Sequence, residues 1–387
     1  MQFDAKTSEY FLELLRSALH DKPACAKPQD VSWNDLFEYA KSQSLSTMAL
    51  VAIQRSGFDI GSELAKEWGI FNAQNLVKFY NQEHECEVLC KALSDAGILN
   101  MPLKGSIIRE LYPAPEMREM CDLDILVKPE DIDRSHGVML SNGYIYIEEN
   151  TTSHNRDYQK LPYLNVEIHT YLVPKENRLF PYYEHFWDNT ALEANSFACR
   201  MDWDDCYIFM MAHAYKHFSK YGTGIRSVLD VYLMRSKLKD VLHREHICAA
   251  LKTQEILEFA KRFENLADCW FDGEKTEISE ELQFYHSRVL EGGTYGENNI
   301  LKAKAMQYIV EGKSLRYAKR RVAISKVFPS YSNMKLKYPC LKYVPFLLPL
   351  FWVIRWFSNL IENPKKVSAF FKKLKHLSLT GYKEEGR

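Results

Sequence analysis

Apolar positions along the chain change their period twice. Up to Gly97 they recur every three or four residues. Tyr10, Leu12, Leu14 and Leu15 mark a first amphipathic stretch, Trp33 to Ala40 a second, and Ser62 to Ala96 a long proline-free third. This spacing predicts helices with one buried side, and Gly97 is placed to close the longest as its C′ residue. The pattern then shortens. Ile98 to Leu103 is a short apolar run, Gly105 to Leu111 a short helix, and Asp122 to Val127 an alternating strand. Pro129 stands at a helix start, and Asn142-Gly143 marks a turn into Tyr144–Glu149. Further strands are predicted around Tyr158–Leu161 and at Leu164–Leu172. Short strands and helices mixed over about one hundred residues predict a small α/β or α+β domain. From Trp203 the helical period returns in Cys206–Phe218, Ile225–Lys237, His243–Thr253 and Glu255–Trp270, without an evident repeat.

Composition adds little to this outline; the distribution of charge adds more. The chain has 387 residues, 46% hydrophobic and 26% charged, a globular mix that excludes wholesale disorder. The formal net charge of −1 hides a division. From Lys313 onward there are 17 basic residues against 3 acidic, leaving 33 against 48 in the preceding 312. An acidic body at −15 thus carries a basic segment at +14, an asymmetry that suits contact with an anionic surface. The nine cysteines are scattered and form no CxxC pair, which argues against a disulfide framework or structural zinc and for a reducing cytoplasm. The start, Met1-Gln2-Phe3-Asp4, has no apolar core of a secretory signal. No run reaches the roughly 20 apolar residues of a spanning helix. Four parts are expected: a helical region over 1–97, a core over 98–200, a second helical region over 201–312, and a basic, apolar segment over 313–387.

The chemistry concentrates in the core. In Asp122-Leu123-Asp124-Ile125-Leu126-Val127, strand alternation puts both aspartates on one face and Leu123, Ile125 and Val127 on the other. Carboxylates crowded in this way repel each other unless a cation lies between them, and Mg²⁺ suits one or two carboxylates plus substrate phosphates. Asn165-Val166-Glu167-Ile168-His169 alternates likewise. If the two strands are neighbours, Glu167 joins the aspartates, and three acids can hold two ions, one at an attacking hydroxyl and one at a leaving pyrophosphate. Gly105-Ser106 follows an apolar run and opens a short helix. There the glycine lets backbone approach a phosphate and the serine donates a further hydrogen bond. Lys104 and Arg118 are the nearest cations for a triphosphate. His169 is read as orienting Glu167 or packing locally rather than as a ligand.

Lys104-Gly105-Ser106, Arg118, Asp122-Leu123-Asp124 and Val166-Glu167-Ile168-His169 resemble the signature of the uncharacterised nucleotidyltransferase family, within the DNA polymerase beta-like superfamily. The resemblance extends to His213, His217, Arg226 and Asp230, and to the proline-punctuated stretch near Tyr338–Trp356. It implies an α+β fold, in which a minimal polymerase beta-like core of mixed sheet and helices is flanked by mainly helical regions. It also implies transfer of a nucleoside monophosphate from an NTP to a hydroxyl, with two Mg²⁺ ions or Mn²⁺ in their place. Asp122, Asp124 and Glu167 become the metal-holding acids, and Lys104, Gly105, Ser106 and Arg118 the nucleotide site. ATP is the favoured NTP. The acceptor is left open among a sugar, a lipid-linked glycan, a protein side chain and an RNA end. A catalytically silent nucleotide-binding regulator is the alternative, because a fold does not guarantee its chemistry; a membrane-surface adaptor is another.

His213 and His217 lie four apart, on one helix face, with no intervening glutamate of a zinc motif. Two readings stay open: a pair bonded to Asp230 or Arg226, or a wall of the nucleotide or acceptor pocket. In the basic segment, Pro345 and Pro349 are expected to prevent one regular helix over Tyr343–Ile354. Phe370, Phe371, Leu374 and Leu377 alternate with lysines over Val367–Leu379 as in an amphipathic helix. Basic charge with aromatic anchors over 336–379 predicts an anionic membrane surface as partner, hence a cytoplasmic protein peripheral to a membrane. Docking on the chain's own acidic body and binding of nucleic acid are the other readings.

Overall fold

In a computed structural model the structure describes residues 4–147, 154–162, 164–175, 177–188, 197–220, 222–273, 277–292, 308–309, 313–329, 331, 334, 338, 341 and 344–362. The helix expected over Val367–Leu379 lies outside them. The fold is α+β, with a five-stranded mixed sheet and many helices among the described residues. The chain divides into two compact units. One runs to Tyr215 and includes Gly224–His286; the other holds Lys216–Thr223 and the chain from Ser287 onward. All three boundaries fall inside the 201–312 region that the periodicity reads as one helical stretch.

The first unit opens with α1 (Ala5–His20), α2 (Trp33–Gln43), α3 (Ser46–Arg55) and the 34-residue α4 (Ser62–Asp95). Gly97 ends α4 as its position suggests. At φ +66° its N–H reaches Ser94 O, and Ile98 N–H reaches Leu93 O at 2.9 Å, a paired C-terminal closure that residues with a Cβ adopt only at a cost. The sheet has strands β1 (Asn100–Pro102), β2 (Leu123–Val127), β3 (Ile145–Ile147), β4 (Asn155–Lys160) and β5 (Leu164–His169) in the order β1-β2-β5-β4-β3. Only the β2–β5 pair is parallel. Two short helices, α5 (Gly105–Ile108) and α6 (Ile132–Ser141), interrupt it.

One sheet face is core. Leu123, Ile125, Val127, Tyr158, Leu164, Val166 and Ile168 pack with Leu89 and Leu93 of α4 and with Met139 of α6. Every second residue of β2 and β5, with Tyr158 of β4, is thereby committed to apolar packing, so the alternate residues share the opposite face. After α7 (Phe180–Tyr183) come α8 (Trp203–Lys220), α9 (Ile225–Lys237), α10 (Arg244–Thr253), α11 (Leu257–Phe271) and α12 (Glu280–Glu291). Helix α11 closes against α1, with Arg16 donating to Trp270 O at 3.2 Å and His20 bonded to Phe271 O at 2.7 Å.

The second unit contains α13 (Leu315–Val327) and α14 (Leu348–Glu362). Pro345 begins a separate 3₁₀ turn, Pro345–Leu347, and Pro349 sits in the first turn of α14. The described part of Tyr343–Ile354 is thus not one regular helix, as expected; a regular helix runs from Leu348, because a first-turn proline has no intrahelical N–H bond to lose. Among the described residues no helix is long and apolar enough to cross a membrane.

Candidate functional site

Register decides what gathers on the polar sheet face. Asp124 is the direct partner of Glu167, and Leu126 that of His169, across the β2–β5 pair. On the other side of β5, Asp157 faces Glu167 and Asn155 faces His169. Directly opposed residues share a face, so Asp124, Glu167 and Asp157 form a row across three adjacent strands. Asp122 precedes β2 by one residue, outside the strand the alternation assigned it to.

His169 binds the row together. Its Nε2 lies 2.7 Å from Asp124 Oδ1 and 3.1 Å from Glu167 Oε2. Both partners are carboxylates that only accept, so Nε2 carries the proton and donates. Lys104 Nζ donates to the same Asp124 Oδ1 at 2.7 Å. Burial alone would raise Asp124, but Lys104 and His169 outweigh it and hold the carboxyl well below the carboxylate range. Burial likewise disfavours the Lys104 ammonium, yet Asp124, with Asp122 and Glu167, keeps its pKa above the usual value. The imidazole of His169, disfavoured as a cation by burial, is carried above its usual pKa by its two carboxylates. In turn its hydrogen bond holds Glu167 low. The other two acids move the other way. Burial, with the charge of Asp124, pushes Asp122 up to about 6, and burial, with the charge of Glu167, pushes Asp157 up to about 6.

The loop from β1 to α5 is bent to serve this row. Lys104 has φ +52° and ψ −117°, a left-handed-side conformation that costs a non-glycine residue about 1–2 kcal/mol. The turn aims its side chain at Asp124 and is pinned by Leu103 N–H donating to Asp124 O at 2.9 Å. A Cβ at Gly105 would run into Nη1 of Arg118 and into Met120 Sδ at 2.6 Å, so any other residue here must displace one of these side chains. Ser106 Oγ is buried with no hydrogen-bond partner among the described residues, as is His169 Nδ1. Orphaned polar atoms of this kind are costly unless a ligand satisfies them.

Arg118 is placed differently from an open phosphate contact. It is 5% exposed, and its Nε and Nη2 donate to Asp230 at 2.8 and 2.7 Å. Tyr112 O–H donates to Asp230 Oδ1 at 2.7 Å. Asp230, on α9, is thus the anchor of Arg118, and Nη1 is the Arg118 nitrogen turned toward Gly105. The loop carrying Asp122 is held from three helices. From α3, Ser46 Oγ and Thr47 N–H donate to the Glu119 carboxylate; from α4, Gln82 donates to Met120 O; from α9, Arg226 donates to Glu119 O. His213 lies in this first unit with its ring 6.2 Å from Phe209, and His217 belongs to the second.

Among the described residues, Asp124, Glu167 and His169 have ligand atoms all within 4.8 Å of one another. Two carboxylates, with Asp122 and Asp157 beside them, are a hard-oxygen set suited to a divalent ion, and the orphaned Ser106 hydroxyl suits a phosphate oxygen. A hollow of about 210 Å³ lined by Leu126, Lys128, Thr170, Tyr171 and Tyr183 lies past the ends of β2 and β5 and does not include the acids.

Residues 29–272 match the family model described as uncharacterised nucleotidyltransferase. The chain belongs to that family. The match spans every nucleotidyltransferase site residue named above and ends before the Tyr338–Trp356 stretch that the resemblance had included. No curated protein and no solved structure matches the chain. Sequence reasoning missed Asp157, Asn155 and Tyr112. The polar alternation Asn155, Asp157, Gln159 around buried Tyr158 was a signal for a two-faced strand, but it does not say which strand is its neighbour.

Proposed function

We propose that the protein is a Mg²⁺-dependent nucleotidyltransferase that moves a nucleoside monophosphate from an NTP, ATP in the first instance, to a hydroxyl acceptor. The observation that carries this reading is the side-by-side register of Asp124 and Glu167, bridged by His169. Asp122, Asp124 and Glu167 would hold two Mg²⁺ ions, or Mn²⁺. Such ions neutralise charge on the leaving pyrophosphate and favour the acceptor alkoxide.

The chain's own residues do the rest. Ser106 donates its unpartnered hydroxyl to a β- or γ-phosphate oxygen, and Gly105 keeps that backbone free of a side chain. Lys104, already among the acids, supplies the nearest positive charge to the triphosphate. Arg118, anchored by Asp230, supports the loop from beneath Gly105. Glu167 receives the proton of the acceptor hydroxyl as its oxygen bonds to the α-phosphorus, the α–β phosphoanhydride bond breaks, and pyrophosphate leaves. His169 keeps Asp124 and Glu167 in register through this exchange. His213 and Arg226, in the same unit as the acids, belong to the helical surroundings of this chemistry. We place the enzyme in the cytoplasm, consistent with its free cysteines, with its basic segment at an anionic membrane face.

Incubation with each α-³²P-labelled NTP and Mg²⁺ across sugar, lipid-linked glycan, protein and RNA acceptors tests the reading. Labelled product and pyrophosphate are expected, with Asp124→Asn and Glu167→Gln each reducing the rate by roughly 10³-fold or more, the scale on which electrostatic groups act. A wild type that binds NTP in a Mg²⁺-dependent way and releases no pyrophosphate with any acceptor would replace the enzyme by a nucleotide-binding regulator.

A further inference from the structure

The second unit carries a basic segment and an exposed apolar surface. Between Lys313 and Ile361 the sequence has ten basic residues and no acidic one. On α13, Arg316, Arg320 and Arg321 surround a hollow of about 440 Å³ completed by Ser314, Tyr317 and Ile324. Arg316, Arg320 and Ile324 repeat every four residues and so form a stripe. Among the described residues no carboxylate pairs with any of the three arginines. Guanidinium groups grouped in this way bind phosphate oxygens bidentately.

Helix α14 presents the second half. The indole N–H of Trp352 donates to Pro329 O at 2.9 Å and that of Trp356 to Val327 O at 2.6 Å. The Phe328 ring lies 5.3 and 5.0 Å from the two indoles. These contacts fix one side of α14 on the end of α13. Leu350, Val353 and Ile354 are left exposed, at 52%, 39% and 43%, in positions that follow one another along a different side of the helix, and Phe346 in the preceding 3₁₀ turn is 76% exposed. Fifteen residues make a rod of about 22 Å, too short to span a bilayer and suited to lying in its interface.

We propose that α13 and α14 form a site for an anionic phospholipid bilayer, with lipid phosphates in the Arg316–Arg320–Arg321 hollow and the Phe346–Ile354 stripe in the acyl boundary. This deepens the membrane placement above and rests on it, and it moves the headgroup contact upstream of 336–379. A bilayer fits better than nucleic acid because the exposed stripe is largely aliphatic. Leu350, Val353 and Ile354 cannot stack on bases, whereas hydrocarbon accepts them.

Sedimentation of the full chain with phosphatidylcholine vesicles, with and without phosphatidylserine, tests the assignment. The wild type binds the vesicles that contain phosphatidylserine. Arg316→Gln/Arg320→Gln/Arg321→Gln weakens that binding by roughly a hundredfold and flattens its salt dependence. Leu350→Ser/Ile354→Ser weakens it by tenfold or more even at low salt. A wild type that stays in solution, alone or while binding single-stranded RNA, overturns the membrane placement itself. A triple-arginine variant that binds as well as the wild type overturns this site while leaving that placement standing. A wild-type dimer dissociated by Leu350→Ser/Ile354→Ser with unchanged vesicle binding makes the stripe a seam between copies and also overturns the site. ATP binding in solution is equal in all three proteins, so none of these failures touches the transfer chemistry.

Discussion

Substituting Asp230→Asn removes a charge from the centre of the first unit while keeping the side chain's shape. Arg118 is 5% exposed and Asp230 1%. Asp230 accepts from Arg118 Nε, Arg118 Nη2 and the Tyr112 hydroxyl. In the variant the guanidinium stays charged, because its ordinary pKa lies far above neutral, and it loses the carboxylate that offset its burial. The new amide nitrogen also turns donors against donors. Removing one member of a buried pair costs about 3–5 kcal/mol, a large part of a total stability of about 5–15 kcal/mol. Urea unfolding followed by circular dichroism and tryptophan fluorescence reads this as a lower midpoint at unchanged slope. The double variant Arg118→Met/Asp230→Leu removes both charges and should return to within about 1–2 kcal/mol of wild type. A loss below about 1 kcal/mol in the single variant, or a double variant as unstable as the single, would refute the argument. Because Arg118 Nη1 lies against Gly105, ATP affinity in the restored double variant also separates a supporting role from direct phosphate contact.

Other outcomes follow from the same geometry. Gly105→Ala must displace Arg118 or Met120, so it should cost about 1–3 kcal/mol and raise the KM for NTP; wild-type stability and KM would contradict the close approach. Lys104→Met leaves Asp124 without its ammonium, so the melting temperature without metal should fall and its rise on adding Mg²⁺ should exceed that of wild type; an equal rise would speak against Mg²⁺ at these acids. Asp205, raised to about 6 by burial and the neighbouring Asp202, binds its proton more tightly folded than unfolded. Its contribution is therefore present below its ordinary pKa and lost as pH rises through about 6. Asp205→Asn should be more stable than wild type by about 1–2 kcal/mol at neutral pH, discounted for partial exposure, and by nothing at pH near 3.5. A stability difference independent of pH would rule that out.

The sequence by itself determined what depends on near neighbours. Helix spacing to Gly97, its left-handed stop, the Gly105-Ser106 turn and the two alternating acid strands are properties of a few consecutive residues, and the structure has them close to where the pattern puts them. The prolines acted locally too: Pro345 opens a separate 3₁₀ turn, and a regular helix begins only at Leu348, with Pro349 in its first turn. Tertiary structure decided the pairings. Strand register set Asp157 opposite Glu167 and His169 between two carboxylates, because a shift of one residue would send each side chain to the other face. Packing of α9 gave Arg118 to Asp230, 112 residues away, rather than to open solvent. Alternation shows that a strand has two faces, while the partner across each face is chosen by the core that the whole chain buries.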